Sequence, residues 1–125
     1  MPMRTPFTTT SDDGRIFFWD VVLAEFPFAD QFDRKRRPAL LVSADAENDL
    51  VLLRITSKIR MLDTEVLLRD WQAAGLRLPS VVRVEKIVTS NVTFVIKRLG
   101  KLSPSDALRV MAGIRTSCER ISAKL

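Results

Sequence analysis

Apart from one or two turns over 68–76, no stretch before residue 103 carries the apolar spacing of a helix. The chain instead runs through short β-branched and aromatic segments cut by turn residues. That pattern confines it to a mainly β fold. A strand is expected within IFFWDVVLAEF (16–26), ended by Pro27. Residues 28–37 (FADQFDRKRR) read as a charged loop. A second strand over 38–45 begins at Pro38, and a third covers 49–56. Ala46, Glu47, Asn48 and Asp49 suit a tight turn, so the second and third strands should form a hairpin. A polar connection (57–63) leads to a short strand (64–67), then to the helical turns that stop at Gly75. Two further strands are expected within 80–90 and 93–102. Ser103, Pro104 and Asp106 then supply an N-cap, a preset first helical position and a first-turn acid. Leu108, Met111, Ile114, Cys118, Ile121 and Leu125 recur at helical spacing, which places that stripe, Cys118 included, in the core. The expected architecture is a small, mostly antiparallel barrel or curled sheet closed off by a C-terminal amphipathic helix. Residues 1–13 read as a mobile polar arm, and 14–125 as one domain.

Composition narrows the chemistry. The 125 residues suit a single domain, and 46% apolar with 28% charged residues is a globular balance. With no His and one Cys, the chain has no His general base, Cys–His dyad, Cys/His zinc site or disulfide framework. Asp12, Asp13, Asp30 and Asp33 lack ligand spacing, so neither a metal nor a cofactor is expected. Twenty Lys and Arg against fifteen Asp and Glu leave a charge of +5, which suits a polyanionic partner. No apolar stretch approaches a signal-peptide h-region or the roughly 20 residues of a spanning helix. A cytoplasmic protein without a membrane partner is expected, its thiol suited to a reducing compartment.

Spacing brings the first candidate residues together. With the hairpin turn centred between Ala46 and Glu47, opposing residue numbers add to about 93. Arg37 then lies across from Thr56 and beside Ser57, a cradle for a phosphate. In a strand Arg83 and Glu85 share a face, either as a structural ion pair or as a charge stabiliser beside a carboxylate base. The basic run Arg34, Lys35, Arg36, Arg37 is a solvated loop or a phosphate-binding rim, joined by Lys58, Arg60, Lys86, Lys97 and Arg98 if the fold gathers them. Trp19 and Trp71 are packing residues or platforms for a base.

The order VVLAEFPF, KRRPALLVS, RITSK, AGLRLPSVVRVEKI and KRLGKLS resembles the MazF/PemK-type toxins of bacterial toxin–antitoxin pairs, from about Asp20 to the C-terminal helix. The resemblance implies an SH3-like barrel with a C-terminal helix, a homodimer, and metal-independent cleavage of single-stranded RNA. It also implies a cognate antitoxin as partner. The family's Arg before Pro and Thr of the following strand fall on Arg37 and Thr56. The Arg and acid that some members use fall on Arg83 and Glu85. Arg34, Lys35, Arg36, Ser57, Lys58 and Lys86 would then line the RNA path. The chain departs from the family in carrying Trp19-Asp20 for Gly-Asp, and in a shorter first loop without His. Two rival readings keep the barrel: a toxin that poisons gyrase by binding it, and a nucleic-acid-binding module without catalysis.

Overall fold

A computed structural model describes residues 7–8, 15–27 and 34–124. Strands β1 (Phe7–Thr8) and β2 (Arg15–Ile16) pair with each other. The main sheet contains β3 (Asp20–Pro27), β4 (Arg34–Ala44), β5 (Asp49–Thr56), β6 (Glu65–Leu67), β7 (Val81–Asn91) and β8 (Val95–Lys101). Its order is β6-β7-β5-β4-β3-β8, antiparallel throughout. A 3-10 turn (Val92–Phe94) joins β7 to β8, and helix α1 (Pro104–Ser122) ends the described chain. Among the described residues β6 and β8 do not pair, so the sheet is curled and open rather than a closed barrel. Of the expected arm, Phe7–Thr8 is seen as β1; residues 1–6 and 9–13 lie outside the described residues, as do 28–33 of the expected loop.

Alternation along β4 and β5 sends apolar side chains to both faces, so the sheet has two cores. Ala39, Leu41, Leu50 and Leu52 join Ile16, Val22, Ala24, Phe26, Val92 and Val95 on the inner side of the curl. Leu40, Leu53 and Ile55 join Val21, Val82, Val84, Leu102 and Val110 of α1 on the other. The hairpin register matches expectation outside a bulge. Ala39, Leu40 and Leu41 oppose Arg54, Leu53 and Leu52, the pairing that the turn spacing predicts; beyond Val42 the register slips by one, to Ser43–Val51 and Ala44–Leu50. Asp45 builds the turn: its Oδ1 accepts the N–H groups of Glu47 and Asp49, at 2.9 and 3.0 Å. Asn48 supplies the left-handed residue at φ 65°.

Three expectations are corrected. Arg34–Arg37 belong to β4, not to a loop, because β3 provides a partner for each, with Arg36 opposite Glu25 and Arg37 opposite Ala24. Pro38 therefore sits within the strand. It is tolerated because the β5 ladder starts only at Ala39, leaving β3 as its one described neighbour. The strand expected from Ile16 breaks at Trp19, whose φ of 70° is uncommon for a bulky side chain. The strain, about 1–2 kcal/mol, is held by backbone bonds from Trp19 N–H to Leu41 O (2.8 Å) and from Leu102 N–H to Trp19 O (3.1 Å). Trp19 and Trp71 both pack against the second core.

The third correction concerns α1. Ser103 caps it, its hydroxyl accepting the Asp106 N–H at 3.1 Å. The buried positions, however, are Asp106, Val110 and Ser117, with Gly113 set close against Val66 and Val84. Among the described residues of the expected stripe, only Ile114 packs on the core. Leu108 (66% exposed), Met111, Ile121 and Cys118 face outward, and Leu125 lies outside the described residues. Two apolar stripes overlap on this helix. The choice falls to Asp106, which is tied to the 68–76 segment, and to Gly113, whose missing side chain lets the helix approach β6 and β7.

That segment is a single turn closed by a Schellman motif. Leu76 N–H reaches Trp71 O (3.1 Å), Gly75 N–H reaches Gln72 O (3.0 Å), and Gly75 lies at φ 82°. It abuts β8 backbone to backbone. A Cβ on Gly75 would fall 2.1 Å from Leu99 O, and one on Gly100 2.5 Å from the Ala74 carbonyl.

Candidate active site

Across β4, β5, β7 and β6 the registered partners form one lateral row: Ala39, Arg54, Arg83, Glu65. Neighbours in such a row share a face. Arg37 precedes Ala39 by two residues and Thr56 follows Arg54 by two, so alternation puts both on that face. With Arg37 and Thr56 flanking it, although the two are not themselves registered as a pair, the row collects Arg37, Arg54, Arg83, Thr56 and Glu65 at one end of the inner core.

Arg54 occupies the position where the Leu50, Leu52 series of β5 reaches the rim. Its Cζ stands 5.2 Å from the centroid of the buried Phe26 ring, in cation–π range. Burial first, and then the charges of Arg37 and Arg83, push its guanidinium below the ordinary arginine range. Arg37 is exposed, and Arg83 is half-buried. Arg83 Nε is buried and has no hydrogen-bond partner among the described residues. Thr56 Oγ1 accepts the Lys58 N–H at 3.0 Å, which fixes the oxygen and leaves the hydroxyl proton to donate. Ser57 and Lys58 are exposed where the connection leaves β5.

Glu85 is placed differently from Arg83. β7 bulges between them: Leu53 opposes Ile87 while Arg54 opposes Arg83, so residues 84–86 have no counterparts on β5. Simple alternation does not carry across that bulge, and the Glu85 carboxylate pairs with Arg120 of α1. Lys86 is exposed in the same bulge. Lys35 and Arg36 are exposed on β4 beside Arg37, and Arg34 begins that strand opposite Pro27. Lys97 and Arg98 lie on β8 at the far edge of the sheet, with Arg98 Nε 3.1 Å from buried Asp20. They do not join the row.

Two members of the row were not foreseen. Arg54 was legible in principle, since it stands two residues before Thr56 in an expected strand. Glu65 was not, because its neighbour is fixed by the β6–β7 pairing rather than by local sequence. Glu65 Oε1 accepts the N–H groups of Arg60 and Leu62, at 3.0 and 3.5 Å. Its Oε2 is buried with no hydrogen-bond partner among the described residues. Chemically, the row offers three guanidiniums and a hydroxyl to an anion, with a carboxylate at one side.

In sequence pattern and in fold the chain is similar to known proteins. The sequence-family model described as PemK-like, MazF-like toxin of type II toxin–antitoxin system matches residues 18–118. No curated protein matches the chain in sequence. Among solved structures, the Mycobacterium tuberculosis toxin MazF-mt6 superposes with a TM-score of 0.67 at 24% identity, covering 80% of this chain and 96% of that one. A mycobacterial endoribonuclease solved with its cognate antitoxin gives 0.64 at 20% identity, covering 82% and 93%. A MazE–MazF complex from Deinococcus radiodurans gives 0.66 at 18% identity, covering 81% and 93%.

Proposed function

Because this chain belongs to the PemK-like, MazF-like toxins of type II toxin–antitoxin systems, we propose that it cleaves single-stranded RNA without a metal and is restrained by a cognate antitoxin. The observation that carries this reading is the convergence of Arg37, Arg54 and Arg83 with Thr56 at one end of the curled sheet. RNA brings its own nucleophile, the 2′-OH. Its oxygen attacks the adjacent phosphorus while the bond to the 5′-oxygen breaks, leaving a cyclic phosphate and a 5′-oxygen that takes a proton from solvent to become a hydroxyl. Arg37 and Arg83 hold the non-bridging oxygens as charge grows on them, and the arginine fork suits that geometry better than an ammonium. Thr56 donates a hydrogen bond to the phosphate and so orients it, with Ser57 beside it. Glu85, released from its pair with Arg120 as the strand binds, takes the 2′-OH proton. Arg34, Lys35, Arg36, Lys58 and Lys86 guide the strand toward the row.

Partners follow from the same reading. Two of the similar structures contain an antitoxin, and the charge of +5 complements an acidic antitoxin segment. The outward apolar face of α1, with Leu108, Met111 and Ile121, supports a homodimer. No helix among the described residues is long and apolar enough to cross a membrane, and we assign the protein to the cytoplasm.

The test is incubation of the purified protein with a defined single-stranded RNA in chelator, followed by analysis of the fragment ends. Cyclic phosphate termini are expected; RNA left intact overturns the reading. A pair of variants assigns the base. Glu85→Gln should lower the cleavage rate by roughly 10²- to 10⁴-fold, the worth of a positioned base. Glu65→Gln, which keeps an oxygen for the Arg60 and Leu62 N–H groups, should stay within about tenfold of wild type. The reverse ranking in initial-rate measurements would give the proton-accepting role to Glu65.

A further inference from the structure

We propose that Arg54 is a third phosphate-binding guanidinium of this site, gripping a non-bridging oxygen jointly with Arg83; the inference rests on the phosphate-handling part of the reading above. The position argues for it. Arg54 and Arg83 are registered partners on adjacent strands and share a face, so an anion held by one lies beside the other. The same alternation that carries Leu50 and Leu52 into the inner core calls for an apolar residue at 54. A cation there weakens the empty protein, as expected where a site is kept ready for a ligand. Stacking at 5.2 Å over Phe26 occupies a face of the guanidinium, so its hydrogen bonds run in plane, along the edge that a phosphate oxygen accepts. The depressed proton affinity of Arg54 carries the same sign. Folding disfavours the charged form, so removing the charge should raise the stability of the unliganded protein.

Arg54→Met keeps a flexible apolar side chain against Phe26 and removes the charge. Thermal unfolding is measured with and without inorganic phosphate, together with binding to a 2′-O-methylated single-stranded RNA that cannot be cut. Without phosphate, Arg54→Met should melt about 2 °C or more above wild type. It should lose most of the upward shift that phosphate gives the wild type. Its RNA affinity should fall roughly tenfold or more, with a salt slope shallower by about 0.7. Arg54→Lys, which keeps the charge but not the fork, should fall between the two. Unchanged RNA affinity and an unchanged phosphate shift in Arg54→Met would overturn the inference. So would a lower melting temperature with affinity intact, which would make Arg54 a packing residue. If phosphate binding needs Arg54 but the wild type cuts no RNA, the inference stands and the endoribonuclease reading falls. If Arg54→Met binds and cuts like wild type, the reverse holds.

Discussion

Replacing Arg37 with Ala should lower the rate of the proposed RNA cleavage by roughly 10²-fold or more, the usual cost of one preorganised donor to a developing charge. The fold should not suffer. Arg37 is exposed and lies before the first registered β4–β5 pair, at Ala39–Arg54, so its side chain supports neither core. Its removal also takes a positive charge away from Arg54, which opposes any loss of stability. Initial rates on a single-stranded RNA, read beside thermal melts of both proteins, separate the two effects. Arg37→Lys should recover only part of the rate, since an ammonium restores charge without the planar fork. A variant that cuts at the wild-type rate would remove Arg37 from the mechanism.

The largest stability loss is expected at Asp106. This carboxylate is fully buried at the first turn of α1 and accepts the backbone N–H groups of Arg69 (3.1 Å) and Asp70 (2.9 Å). It also pairs with Arg109 Nη1 at 2.9 Å. Asp106→Ala leaves two backbone donors without their acceptor and the Arg109 charge uncompensated. It also removes a negative charge that favours the helix N-terminus. The cost should be about 3–5 kcal/mol, the range for breaking a buried charge network. Arg109→Ala, by contrast, removes a partner that solvent already reaches, and should cost about 1 kcal/mol or less. Urea unfolding of both variants checks the contrast, and equal small losses would show that Asp106 does not anchor the helix.

What could be read from the residues alone follows how local each cause is. The hairpin was legible because Asp45 to Asp49 contain their own turn chemistry, and the outer register followed. The bulge at Val42 was not, since nothing at that residue announces it. The strand character of Arg34–Arg37 was hidden for a related reason: their charge suggests a loop, and only pairing with β3 makes them extended. On α1 the apolar stripe was real, yet the buried face was decided by an anchor 36 and 37 residues away along the chain. The site divides in the same way. Arg37, Thr56 and Arg83 were named from spacing and resemblance. The position of Glu65 beside Arg83 depends on a long-range strand pairing, and the separation of Glu85 from Arg83 depends on the β7 bulge.

The backbone contact between the 68–76 turn and β8 has its own consequence for how this chain tolerates change. Gly75 and Gly100 meet where neither can accept even a methyl group, because each would drive it into the other segment's main chain. A saturation library scored for folded protein should therefore show both columns empty of every substituent beyond hydrogen. No single compensating replacement elsewhere should refill either one, since the obstacle is peptide backbone rather than a side chain that could be trimmed.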